Sequence, residues 1–302
     1  ICGIGRKVQV RKDKKMLIIF CLPAVVMMLM FFLIPAVKLV VDSFFKYDIS
    51  NMAGKSFVGL KNFLAVFTSP KFVLCVANTV KYVVIAVTIE FILGLLLALM
   101  LNVGFKGSQI MRTLMLTPLM MAPLVAGLVW KYLLSDQFGI INWGLYKLGI
   151  INNVHSIMWL SNPKISLYSC IIADTWLCTP FMMLVLLAGL QGIDPTYYEA
   201  ARIDGAGTLK LFYHITLPLL KPNIVIAIII RVMDALRSFD TIWAMTQGGP
   251  NFSSEVISTY IYKANVRFGQ VGEASAMAVI FMLALLVLAS IFIKKVWNPN
   301  ED

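Results

Sequence analysis

The chain has 302 residues, of which 60% are apolar and 14% charged, with a mean hydropathy of +0.84. A soluble domain is nearer half apolar and a quarter charged, so the composition excludes an ordinary soluble enzyme, a secreted disulfide scaffold and a disordered tail. The net charge of +11 is read as cationic loops at a membrane surface rather than as a nucleic-acid footprint.

In chain order, residues 1–15 form a basic segment carrying Arg6, Lys7, Arg11, Lys12, Lys14 and Lys15. Residues 16–297 then hold six apolar blocks, at about 16–41, 72–101, 110–134, 165–190, 223–245 and 271–296, and 298–302 is a short tail. A spanning helix needs roughly 20 mostly apolar residues. Lipid offers no partner to an open backbone, so each block is expected to be one helix. Prolines inside the blocks, such as Pro118 and Pro123, are read as tolerated kinks. The fold class is therefore all-α, with six transmembrane helices. An even span count puts both termini on one side. That side carries 13 Lys/Arg against nine on the other, which places the termini in the cytoplasm. Gly, Asn and aromatic residues in the outer loops, at 56–63 and 138–143, predict short interfacial helices, with Trp143 and Trp159 at headgroup level.

The cytoplasmic loop 191–222 reads as two short helices at a sharp angle. Asp194 suits an N-cap and Pro195 a first turn. Gly205 suits a left-handed closure, and a second amphipathic stretch, 209–215, is expected to stop at Pro218. A knuckle of this kind exposes apolar residues and reads as a docking surface.

In the fifth block, Asp234, Arg237 and Thr241 fall on one face at 100° per residue, and Asp234 and Arg237 are an i,i+3 pair. Arg231 projects away from that face. Ionisable groups at mid-bilayer are costly and usually face a cavity or one another. The candidates for a substrate path are therefore Asp234, Arg237 and Thr241, with Asp174 in the fourth block and Asn78 and Glu90 in the second. An Asp234–Arg237 bridge that only fixes packing is the alternative. Lys81 is read as snorkelling. His155 and His214 are far apart, the five cysteines read as apolar fillers, and no cluster has metal-ligand spacing.

One stretch carries a family resemblance. Glu199-Ala200-Ala201, three residues, Gly205, nine residues, Ile215, one residue, Leu217-Pro218 resembles the EAA loop of ABC importer permeases. Phe239-Asp240-Thr241-Ile242 and Gln247-Gly248-Gly249-Pro250 are similar to its carbohydrate branch, as are Asn78-Thr79, Arg112, Pro118, Trp130 and 139–142. The chain resembles a MalF-like sugar permease without the extra N-terminal spans and large outer domain of some maltose permeases. The resemblance implies a type I importer in the bacterial inner membrane, with a second, MalG-like permease, a dimeric ABC ATPase, an extracytoplasmic sugar-binding protein and surrounding lipid as partners. Nucleic acid is not among them. Tyr198, Glu199, Ala200, Ala201, Asp204 and Gly205 would form the coupling helix and its turn. The chain has no G-x-x-x-x-G-K-[ST] phosphate loop, so it is not expected to be an enzyme or to hold a cofactor; ATP and Mg would belong to the ATPase. A mono- or oligosaccharide is the expected substrate, with an anionic saccharide or glycerol phosphate as the alternative. An intramembrane hydrolase or an ion-driven carrier are more distant readings, since neither catalytic motif context nor an inverted repeat is seen.

Overall fold

A computed structural model describes Met16, residues 19–48 and residues 51–296. The basic segment 1–15 and the tail 298–302 lie outside the described residues. Among the described residues, five helices are long and apolar enough to cross a membrane: Ile19–Ser43, Pro70–Asn102, Ser166–Gln191, Thr208–Leu236 and one starting at Val271. Counted as one broken span, a bent pair of helices brings the number to six. The helices begin where local chemistry permits. Ser69 accepts the Phe72 N–H, with Pro70 at the first helical position, where its missing N–H leaves no bond unmade.

The third block departs from the single kinked helix that was expected. Ser108–Met120 and Pro123–Leu133 meet at 97°. Met121 and Ala122 are both extended, with ψ of 142° and 135°. A proline disfavours the helical region for the residue before it, and Pro123 acts on Ala122 in this way. Pro118 has already tightened the preceding turn to a 3₁₀ helix over Pro118–Met120.

The fifth block also departs. The helix begins at Thr208 inside the loop 191–222, passes Pro218 and Pro222, and ends at Leu236; Asp240–Met245 is a separate helix. A widened π turn explains the passage. In Phe212–Thr216 the Leu217 N–H bonds to the Phe212 carbonyl, five residues back, immediately before Pro218. The same device precedes Pro35, where the Ile34 N–H bonds to the Leu29 carbonyl. Shifting the hydrogen bond by one residue relieves the clash between a proline ring and the carbonyl four positions earlier.

The chain divides into two units. One comprises residues 1–68 and 263–282, the other residues 69–262 and 283–302. In the first, strands β1 (Phe45–Asp48) and β2 (Asn51–Phe57) pair antiparallel, with Phe45 opposite Phe57. This hairpin was not foreseen; the short helix expected over 56–63 starts later, at Lys61, and runs to Thr68, because residues 56–57 belong to β2. Lys55 bridges Asp42 at 2.9 Å and lies over the rings of Phe45 and Tyr47. Burial, then Asp42, pushes the Tyr47 hydroxyl up to about 12.

In the second unit the core is built on the second and fourth spans, with Tyr82, Met182, Met183, Leu186, Leu187, Leu220 and Ile242 fully buried. Small residues let the helices close up. A Cβ on Gly94 would fall 2.8 Å from Met182 Cβ, and one on Gly189 would fall 2.6 Å from Asn223 Cγ. Small residues at helix interfaces are the common solution in lipid, where van der Waals packing does much of the work that water does elsewhere. The second predicted interfacial helix is Ile140–Lys147; its buried Asn142 accepts the Trp159 indole N–H at 2.7 Å.

Candidate functional site

The second unit carries two sites, a buried ion cluster and an exposed loop. Arg231, on the fifth span, is 2% exposed. Its Nη2 donates to Glu90 Oε1 of the second span at 2.9 Å, and its Nε lies 2.7 Å from Glu90 Oε2 as an ion pair, out of line for a hydrogen bond. Nη2 also donates to Asp174 Oδ2 of the fourth span, and Nη1 to Asp234 Oδ2 at 3.0 Å. One planar guanidinium thus holds three carboxylates from three spans. Glu90 and Asp174 are buried, whereas the Asp234 side chain is 63% exposed.

The pairing corrects the expected one. Asp234 bonds Arg231, one turn earlier, and not Arg237. Because the helix ends at Leu236, the projection that put Thr241 on the same face does not hold. Arg237 instead caps the helix end, its exposed side chain donating to the Met233 carbonyl at 3.1 Å. Thr241 is buried and donates to the Pro123 carbonyl at 3.4 Å. Asn78 is also committed elsewhere: its amide donates to the carbonyls of Phe252 and Glu255 at 2.9 and 3.0 Å, holding the loop after Gly248-Gly249-Pro250. So the structure gathers Glu90, Asp174 and Asp234 around Arg231 and sets Asn78, Arg237 and Thr241 apart. Arg231 was missed as the centre because its partners lie 141 and 57 residues away; the available signal was an intramembrane arginine matched by acids in two other spans. Ligand atoms of Glu90, Asp174 and Cys178 lie within 4.8 Å of one another, a set able to hold a metal. The guanidinium already supplies positive charge to those carboxylates.

Beside the cluster, residues of the second, third and fourth spans line a half-open cavity of about 680 Å³, among them Leu93, Met100, Trp130, Thr175 and Trp176. Its apolar lining suits lipid tails or packed side chains better than a polar solute.

The loop is built locally. Asp194 accepts the N–H and hydroxyl of Thr196 at 2.9 and 2.8 Å and so caps Pro195–Ile203. These bonds, that from the backbone first, hold its carboxyl below the usual carboxylate range. At the other end Gly205 has φ +79°. Its N–H bonds to the Arg202 carbonyl at 3.0 Å and the Ala206 N–H to the Ala201 carbonyl at 2.9 Å, the double closure of a Schellman turn. Tyr198 Oη meets Thr216 Oγ1 at 3.1 Å, joining the short helix to the fifth span. Glu199 and Ala200 are exposed and Ala201 half-buried. Tyr197, Ile203, Leu209 and Tyr213 are 56%, 87%, 75% and 60% exposed, apolar side chains left uncovered among the described residues.

Residues 90–300 match the model of the binding-protein-dependent transport system inner membrane component family. The chain is 35% identical to the trehalose/maltose transport system permease protein MalF of Thermococcus litoralis over 94% of each chain. It is 33% identical to the sulfoquinovosyl glycerol transport system permease protein SmoG of Agrobacterium fabrum, over 93% of this chain and 90% of that one. Among solved structures, a chain of a bacterial ABC transporter that imports the acidic polysaccharide alginate superposes with a TM-score of 0.83 at 23% identity, covering 98% of this chain and all of that one. A chain of the alginate transporter bound to its periplasmic protein gives 0.81 at 25% identity, over 97% and 98%.

Proposed function

This chain belongs to the family of binding-protein-dependent transport system inner membrane components, and from that premise we propose that it is the membrane-spanning permease subunit of an ATP-driven carbohydrate importer. The observation that carries the reading is the loop. It is an exposed, capped helix closed by a glycine turn and hydrogen-bonded to a span, in the spacing of the EAA motif. Tyr198, Glu199, Ala200, Ala201, Asp204 and Gly205 present this helix to an ATPase dimer, which binds ATP and Mg; the chain itself transports rather than catalyses. A second, MalG-like permease completes the path, and an extracytoplasmic binding protein delivers the sugar.

The relatives named for trehalose/maltose and sulfoquinovosyl glycerol transport support a saccharide substrate. Saturation of Arg231 by three carboxylates favours a neutral mono- or oligosaccharide over an anionic one. Both termini face the cytoplasm, supported by the excess of Lys/Arg on the terminal side. Asp234, Asp174 and Glu90 form or support the path from the cluster.

Affinity purification of the tagged chain from native membranes tests the reading. An ATPase and a second permease are expected to co-purify, and the binding protein is expected to stimulate ATP hydrolysis in proteoliposomes. A chain that brings neither partner, or a phosphatase fused after Asp302 that is active outside the cytoplasm, overturns it.

A further inference from the structure

The fifth span connects the docking loop to the ion cluster as one rod. It runs without a break from Thr208 to Leu236. Near its cytoplasmic end it is clasped by the docking helix through Tyr198 and Thr216. From residue 216 to residue 231, at 1.5 Å per residue, is about 22 Å. A hydrogen-bonded helix is stiff along its axis, so a displacement at Thr216 reaches Arg231.

There the rod is tied sideways, to Glu90 of the second span and Asp174 of the fourth. Five residues further the helix ends, and Tyr82 of the second span meets Ser238 Oγ at 3.1 Å just past that end. The cluster thus adds a charged tie to two other spans beyond the packing of Asn223 against Gly189 nearer the loop. Stability alone explains it poorly, because buried ion clusters contribute little beyond apolar side chains of equal volume. What the guanidinium adds is direction: a rigid fork that serves three carboxylates at once.

We infer that Arg231 is a positioning residue for transport, handing displacement of the docking loop, carried by the fifth span, to the second and fourth spans. The inference rests on the reading of the chain as a permease docked on an ATPase.

The test uses the whole complex, with both permeases, the ATPase and the cognate binding protein carrying its ligand as purified from cells. ATP hydrolysis is measured against binding-protein concentration. Two variants are compared with the wild type: Arg231→Lys, which keeps the charge but not the fork, and Arg231→Met with Glu90→Leu and Asp174→Asn, which removes the buried charges together. Both are expected to assemble. The stimulated kcat should fall by about fivefold or more, as expected for a lost coupling between sites, while the KM for binding protein stays within about twofold of wild type, because the outer face is untouched. A merely structural role would lower assembly without this split. If either variant assembles and keeps the wild-type stimulated kcat, the inference is wrong. If neither assembles, Arg231 is structural only, and the inference is likewise overturned. Absence of stimulation in the wild-type complex overturns the permease reading itself.

Discussion

Replacement of Gly205 separates backbone strain from contact, because an added Cβ there meets nothing within 4 Å. Any cost of Gly205→Val must then come from φ of +79°. The left-handed region costs an L-residue roughly 1–2 kcal/mol, and a β-branched side chain sits towards the upper end of the roughly 1–3 kcal/mol for strained backbone. At about 2 kcal/mol, the ratio of closed to open turns falls about 30-fold, and the fraction of helices presented at the right angle falls with it. Asn tolerates the left-handed region, so Gly205→Asn should recover most of the loss and Gly205→Ala should lie between. The assay is co-purification of the ATPase, followed by binding-protein-stimulated hydrolysis, for the three variants in parallel. The order Gly, Asn, Ala, Val is expected in both readouts. A valine variant equal to wild type, or an asparagine variant as damaged as valine, refutes the argument that the turn geometry sets the docking helix.

Three further outcomes follow from the same geometry. Gly94→Ala places a Cβ 2.8 Å from Met182 Cβ and 3.0 Å from the Met183 nitrogen; overpacking of about 1–3 kcal/mol should outweigh the ~1 kcal/mol gain in helix propensity, lowering the Tm of the purified complex, and an unchanged or higher Tm would count against close approach as a constraint. Asp234→Asn with Arg237→Gln should still assemble, since Arg231 keeps Glu90 and Asp174, but should slow sugar uptake by roughly tenfold if these groups serve the path; uptake at the wild-type rate would make them packing only. Asp194→Ala should weaken ATPase association and Asp194→Ser should restore it, because serine also caps. A carboxyl held below its usual value stabilises the fold above that value and loses this only as pH falls through the lowered one, so a cap lost between about pH 7 and 5 would contradict the assignment.

How far the chain could be read without its structure follows the range of the forces involved. The six apolar blocks were legible because the requirement to cross lipid acts on contiguous residues. The capped helix of the loop 191–222 was legible because its start and stop are each written within a few positions: Asp194 bonds Thr196, and the bonds that close at Gly205 and Ala206 reach back only to Arg202 and Ala201. The prolines were visible, but their effect was not. Pro123 breaks a span because Met121 and Ala122 turn extended together, while Pro218 is carried through by a π turn; the choice depends on what packs around each one. The ion cluster was hardest. Reading Asp234 with Arg237 and Thr241 required the fifth span to continue to Met245, and it stops at Leu236. Once the helix stops, the nearest compensation for Asp234 lies one turn back, and Arg231 then needs acids that only tertiary folding brings to it. An unpaired charge at mid-bilayer announces that a partner exists; which one it is depends on where each helix ends.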